Sequence, residues 1–184
     1  MEDIKKYSGY EWIKTIGIAI VLAVFFRTFF FSSYVVDGES MLPTLEDGNL
    51  LIVNKIGYEI GELKRFDVIV FHATSEDDFV KRIIGLPGDK IEYKNDVLYI
   101  NGQAYEEEYL KQYKSGMIEQ RLTEDFTLFD LTGIETVPEG HIFVLGDNRK
   151  GSFDSRQFGF VPMEKIVGKV NLRYWPMDEI NIKF

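Results

Sequence analysis

From Ile13 to Phe31 the chain runs 19 residues with only Lys14 and Arg27 charged, and no other stretch is long and apolar enough to meet a membrane. The hydrocarbon core of a bilayer takes ~20 such residues, so this segment divides the chain before any motif is considered. Residues 16–26 carry no polar stripe, which disfavours an amphipathic surface helix. Phe29-Phe30-Phe31-Ser32-Ser33-Tyr34 is too bulky for the small-residue site of a cleaved leader. Lys14 and Arg27 lie near the two ends, where each can lay its stem along lipid and lift its charge toward headgroups. A retained single-pass helix over 13–33 is expected, preceded by a tail at 1–12. Lys5, Lys6 and Lys14 precede the span, whereas every charged residue from 34 to 53 is acidic. That bias places the amino terminus in the cytoplasm and residues 34–184 on the outer face.

The remainder reads as short strands and tight turns. Leu50-Leu51-Ile52-Val53, Arg65 to Phe71, Phe79 to Leu86 and His141 to Leu145 are apolar or β-branched runs of strand length. Pro87-Gly88 suits a type II turn. Ile91 to Lys94 and Val97 to Ile100 flank Asn95-Asp96 and are followed by Asn101-Gly102, a hairpin signal. Val161-Pro162 and Ile166 to Tyr174 supply the last strand region, closed by Trp175-Pro176. Residues 104–135 are more polar, include Glu106-Glu107-Glu108, and read as a smaller exposed insertion with weak strands and a solvated acidic face. The expected fold is mainly β, with antiparallel sheets forming a sandwich or partly open barrel behind one transmembrane helix.

Composition narrows the chemistry. A net charge of −9 lacks the basic footprint of a nucleic-acid binder. The absence of cysteine removes disulfides, thiol nucleophiles and zinc–thiolate sites. The two histidines, His72 and His141, are far apart and form no HxxxH-type pair, so no metal and no cofactor is expected.

What remains is hydroxyl chemistry. Ser40 stands in Gly38-Glu39-Ser40-Met41-Leu42-Pro43-Thr44-Leu45, a few residues beyond the apolar run. A nucleophilic serine needs a base, and neither histidine lies in a distinctive motif for that role. A lysine serves if burial brings its pKa down. Along a strand Phe79, Lys81 and Ile83 share one face, so Lys81 is a single amine between large apolar neighbours. Two readings stand: a desolvated base, or an edge-strand lysine reaching water. The third stretch, Gly146 to Arg156, holds turn formers together with Asp147, Ser152, Asp154 and Arg156. It suits either a hydrogen-bonded loop, in which Ser152 orients an amine and Asp154 holds Arg156, or an ordinary surface loop.

Taken together, Ser40-Met41-Leu42-Pro43-Thr44-Leu45, Lys81-Arg82-Ile83-Ile84-Gly85-Leu86-Pro87-Gly88-Asp89, and Gly146-Asp147-Asn148 through Ser152-Phe153-Asp154-Ser155-Arg156 resemble the type I signal peptidases, in the small bacterial form with one anchor. The resemblance runs from the anchor to about Met163 and is weakest at 104–135. It implies a Ser/Lys dyad in which Ser40 attacks the scissile carbonyl to give an acyl-enzyme and Lys81 is the general base. By the same resemblance Ser152 hydrogen-bonds the lysine, Asp154 and Arg156 shape the loop, Asp147 pairs with Arg82, and the Ser40 main-chain N–H donates to the oxyanion. The implied substrates are preprotein signal peptides with small residues at the first and third positions before the cut. The implied surroundings are a bacterial cell membrane and the secretion translocase. Two departures stand out: Gly38 replaces a serine that some members use as a second oxyanion donor, and Phe66-Asp67 stands where Gly-Asp is frequent. Nine residues separate Phe31 from Ser40, at most ~32 Å of chain, so the nucleophile stays near the outer leaflet, with Met41 and Leu42 expected at a surface touching lipid or substrate. The rival functions are a self-cleaving Ser/Lys repressor-type protease, disfavoured by a hydrophobic span where a DNA-binding domain would stand, and a tethered, non-catalytic β module.

Overall fold

The computed structural model describes residues 9–55, 63–115, 121–182 and 184. The first eight residues of the expected tail, with Lys5 and Lys6, lie outside them. Helix α1 spans Gly9–Phe30 and leads straight into strand β1, Phe31–Val35. The helix expected over 13–33 is instead found over 9–30, and Phe31 to Ser33 belong to the sheet. Two adjacent serines are flanked there by Phe31 and by Tyr34-Val35, and β1 pairs antiparallel with β2, Leu50–Asn54, from Phe31↔Asn54 to Val35↔Leu50. Among the described residues no helix is long and apolar enough to cross a membrane.

Nine further strands follow: β3 (Val68–His72), β4 (Asp78–Gly85), β5 (Ile91–Lys94), β6 (Val97–Ile100), β7 (Gln103–Tyr105), β8 (Phe126–Thr127), β9 (His141–Leu145), β10 (Val161–Pro162) and β11 (Ile166–Trp175). They form a seven-stranded sheet in the order β1-β2-β11-β3-β4-β9-β10 and a four-stranded sheet in the order β7-β6-β5-β8. Every strand pair is antiparallel. The large sheet curls: the Tyr34 hydroxyl of β1 donates to Asp78 of β4 at 3.0 Å although β2, β11 and β3 stand between them in the sheet. This is the partly open barrel among the expected architectures.

Both faces of β3 and of the second half of β4 are covered, so Val68 to Phe71 and Ile83-Ile84 are continuous apolar runs rather than alternating ones. One face packs Val68 and Val70 with Met41, Leu45, Leu51 and Val53. The other packs Ile69, Phe71 and Ile83 with Ile142 and Val144. A third cluster joins Ile84, Phe143 and Leu145 to Ile91, Tyr93 and Leu98 of the small sheet. Where the sheets meet, Gly85 leaves no space for a Cβ, which would run into Ile91 and Val137. The β5–β6 turn has φ of 53° at Asn95 and 63° at Asp96, the paired left-handed geometry of a type I′ hairpin.

The segment 104–135 corrects the sequence reading. It includes the short helices α2 (Lys111–Ser115) and α3 (Leu128–Thr132). Glu106 and Glu108 are exposed as expected, but Glu107, Leu110, Leu122 and Thr123 are buried. A run of three glutamates gives no sign of which one turns inward.

Candidate active site

The loop between β1 and β2 presents Ser40. Its base is pinned by the Val36 N–H to the Asn49 carbonyl (2.9 Å) and the Gly48 N–H to the Val36 carbonyl (2.9 Å). Gly38 turns the chain at φ 87°, a value that favours glycine, and its N–H donates to Asp47. Met41 and Leu45 then plug into the core. Met41, expected at a lipid- or substrate-facing surface, is 1% exposed, while Leu42 is half-buried. The correction has a simple cause: one thioether and one leucine anchor the loop that must hold Ser40 still.

Lys81 lies on β4, in register with Ile69 of β3. It is 4% exposed, and its Nζ lies 2.6 Å from Ser40 Oγ and 5.2 Å from the centre of the Phe79 ring. Burial lowers its pKa to about 8, with Asp154 and Asp147 pulling weakly the other way. Of the two readings open in the sequence, the desolvated amine is the one this geometry matches. In its charged form Lys81 donates to Ser40; in its neutral form the nitrogen accepts the serine O–H. His72 Nδ1 is instead paired with Asp78 and His141 Nδ1 with the Glu139 carbonyl.

The loop from Gly146 to Arg156 packs against Ser40. The Asn148 N–H donates to the Ser40 carbonyl at 3.1 Å, and Asn148 Nδ2 donates to the Glu39 carbonyl at 3.1 Å. A Cβ on Gly146 would collide with both the Ser40 carbonyl and Ser152 Oγ, so only glycine permits this approach. Asp154 caps helix α4, Ser155–Phe158, and accepts from Arg156 Nε (2.8 Å), Arg156 Nη2 (2.9 Å) and the Gly146 N–H (3.0 Å). Ser152 is buried in the same loop, and its Oγ has no hydrogen-bond partner, so a bond to the Lys81 amine is not formed in this structure. An unpaired buried hydroxyl is costly to keep, and it sits against the backbone that holds Ser40.

Arg82 leaves β4 on the opposite face from Lys81 and grips Asp147 with two bonds, Nε to Oδ1 at 2.8 Å and Nη2 to Oδ2 at 2.6 Å, both side chains being at most 1% exposed. Sequence reasoning missed three groups here. Thr44 Oγ1 donates to Asp147 at 2.5 Å. The Phe66 carbonyl accepts from Arg82 Nη1 at 2.8 Å. Phe66 itself adopts φ 74°, left-handed backbone that favours glycine, and is held by its N–H to the Ile83 carbonyl (2.7 Å) and by its ring against Tyr105 and Tyr109. The Phe66-Asp67 departure is thus a strained position stabilised by aromatic contacts. The third miss is Arg149, fully inside the loop and paired with Glu107; it stood in view in Gly146-Asp147-Asn148-Arg149, but its partner lay in the segment read as solvated.

A serine hydroxyl touching a buried, partly neutralised amine can perform nucleophilic acyl transfer. Among the described residues no group of three His, Cys, Asp or Glu is placed to hold a metal ion.

Residues 9–175 match the family model described as signal peptidase, peptidase S26. The chain is 55% identical over 180 residues to signal peptidase I of Bacillus caldolyticus, covering 98% of each. It is 45% identical over 181 residues to signal peptidase IB of Staphylococcus aureus strain MRSA252, covering 95% of this chain and 93% of the relative. Its fold is similar to the crystal structure of a signal peptidase I from Enterococcus faecalis V583, with a TM-score of 0.56 and 45% identity over 59% of this chain and 97% of the other.

Proposed function

Since the chain belongs to the signal peptidase I family of S26 serine peptidases, whose work is the removal of signal peptides from preproteins, we propose that it does so as a membrane-anchored endopeptidase through a Ser40–Lys81 dyad and an acyl-enzyme. The observation that carries this reading is the 2.6 Å contact between Ser40 Oγ and a lysine amine that is 4% exposed.

In this mechanism neutral Lys81 takes the Ser40 proton as Oγ attacks the scissile carbonyl. The Ser40 main-chain N–H meets the developing oxyanion; a preorganised donor of this kind contributes about 3 kcal/mol. Collapse of the intermediate breaks the peptide bond, and the proton held by Lys81 passes to the leaving amine. Lys81, neutral again, activates the water that releases the signal peptide from Ser40. Ser152 Oγ, buried and unpaired beside Gly146, turns to the amine and holds its direction during these transfers. Asp154 and Arg156, bonded to each other and to Gly146 through Asp154, keep that serine in place.

Anchoring rests on α1 and on the sheet beside it. Trp12, Ile16, Ile20, Val21 and Val24 are all more than half exposed, so the helix offers apolar groups to its surroundings all round. Val35, Leu50 and Trp175 stand in register across β1, β2 and β11, and Met177 and Ile180, just beyond β11, are exposed as well. Lipid covering these groups keeps Ser40 at the outer leaflet, where a signal peptide leaves the translocase, with the amino terminus in the cytoplasm.

The test is cleavage of a preprotein with an Ala-X-Ala site by the full chain in vesicles. The cut is expected after the second alanine, with a phenylalanine at that position abolishing it. Only neutral Lys81 acts as base, and Asp154 and Asp147 are the charges that face it. Accordingly kcat/KM is expected to rise about tenfold per pH unit below pH 8 and to level off above it. A profile that levels off near pH 6.5, the ordinary histidine range, or an uncut preprotein, would overturn the dyad.

A further inference from the structure

Two arms of the catalytic site lead back to one short segment, Glu107 to Tyr109, which lies outside every motif tied to the reaction. The first arm starts at Arg149, inside the loop that packs against Ser40. Its Nε donates to the Gly146 carbonyl at 3.0 Å, and Gly146 is the residue whose Cα abuts the Ser40 carbonyl and Ser152 Oγ. Its Nη2 donates to Glu107 Oε1 at 2.5 Å, and its Nη1 donates to the hydroxyls of Tyr93 (2.8 Å) and Thr123 (3.1 Å). Glu107 also accepts from the Tyr93 hydroxyl at 2.8 Å and the Tyr109 hydroxyl at 2.7 Å. The Arg149 and Glu107 side chains are 0% and 2% exposed. Burial pushes the Glu107 carboxyl up, and the Arg149 charge together with the hydrogen bonds from Arg149, Tyr109 and Tyr93 more than offsets it, so the acid ionises below the ordinary glutamate range.

The second arm starts at Arg82, the neighbour of Lys81. Its Cζ lies over the Tyr109 ring, 3.9 Å from the ring centre. The guanidinium nitrogens are committed to Asp147 and to the Phe66 carbonyl. Tyr109 therefore touches one arm with its ring and the other with its hydroxyl, which also accepts from Arg149 Nη2 at 3.2 Å. A charge inside a protein keeps its place only while its partners are fixed. Here each arginine has a partner in the polar insertion: Glu107 for Arg149 and the Tyr109 ring for Arg82.

We infer that Glu107 and Tyr109 are positioning residues for the peptidase reaction, setting the Gly146 backbone and the Arg82 end of β4 so that Ser40, Ser152 and Lys81 meet at reacting distance. The segment 104–135 is in this sense part of the machinery rather than a peripheral decoration. Neither residue touches substrate; each acts through an arginine. The inference rests on the Ser40–Lys81 reading of the site.

The test compares wild type with Glu107→Gln, an isosteric change that removes the charge facing Arg149. Glu106→Gln, the exposed neighbour, is the control. Each is assayed in vesicles with the Ala-X-Ala preprotein, at a temperature where its melting curve shows it folded. Displacing reacting groups by a fraction of an ångström to 1 Å lowers rate by roughly 10–100-fold, so kcat of Glu107→Gln is expected to fall by that factor while KM stays within about twofold. Glu106→Gln is expected to match wild type. Should Glu107→Gln not fold, Tyr109→Phe carries the test; it keeps the ring on Arg82, removes one hydroxyl, and is expected to lower kcat several-fold. Folded variants with wild-type kcat overturn the inference, and so does a loss of equal size in Glu106→Gln. Failure of the underlying dyad is distinguishable, because it appears in wild type itself as a missing rise of kcat/KM below pH 8.

Discussion

Lys81→Met is expected to lower kcat/KM by about 10²–10⁴-fold, the span of a lost general base, and at the same time to make the folded protein more stable at neutral pH. The first effect follows from the contact with Ser40 Oγ, which methionine cannot reproduce. Ser40→Ala is expected to reach a similar floor, and the double variant to go no lower, because base and nucleophile act as one unit. The second effect follows from linkage. In water the amine titrates near 10.5, and in the fold at about 8. Between those values the unfolded chain binds a proton that the folded chain does not, so wild-type stability rises with pH from about 8 to about 10.5. Below pH 8 both states are protonated, and the fold holds a charge among Phe79, Ile69 and neighbouring apolar groups. At 1.36 kcal/mol per pKa unit the penalty is at most about 3 kcal/mol. Lys81→Met escapes it, with an advantage in Tm that is largest below pH 8 and shrinks toward pH 10.5. A variant that is inactive and also less stable than wild type at pH 7 would show that the amine is not held as a desolvated base.

That trade places Lys81 among the residues a sequence can reveal. A lone lysine between Phe79 and Ile83 in an apolar strand contradicts its surroundings, and such contradictions mark function more often than they mark error. Strand placement was legible for the same reason: β9 falls on the expected His141 to Leu145, and the Asn95-Asp96 turn takes the left-handed angles its residues favour. What stayed hidden depends on contacts distant in the chain. Residues 31–33 look like the end of an apolar span until β2 is present to pair with them. Met41 looks like a surface residue beside the nucleophile until Leu51 and Val53 form the core it enters. Glu107 is indistinguishable from Glu106 and Glu108 until Arg149, 42 residues away, is brought to it. Apolar pattern reports which residues avoid water; it does not report which charge a buried charge meets. The Phe66 position shows the converse limit. Its φ of 74° favours glycine, yet the side chain that makes the angle unfavourable also supplies the ring that packs on Tyr105 and Tyr109.

The ion pair between Arg82 and Asp147 gives the largest expected loss of stability. Asp147 is fully buried and accepts two bonds from Arg82 and one from Thr44. Asp147→Ala strands a guanidinium that is 1% exposed and fixed on its other side by the Phe66 carbonyl. Removing one partner of a buried pair costs about 3–5 kcal/mol, chiefly as the penalty of the charge left behind. For a domain of this size that corresponds to a fall in Tm of roughly 10 °C. Loss of Asp147 also frees the stretch between Gly146 and Asn148 that seats on the Ser40 carbonyl, so kcat/KM is expected to fall with it. The two effects separate in the double variant. Arg82→Met placed on top of Asp147→Ala removes the stranded charge, and Tm is expected to recover by at least a third of the loss. Activity is not expected to recover, since neither partner remains to hold the loop. Thermal melts and kcat/KM across the four proteins of this cycle measure both terms. Additive losses in Tm would mean that the two side chains contribute separately and that the pair is not the clamp between β4 and the catalytic loop.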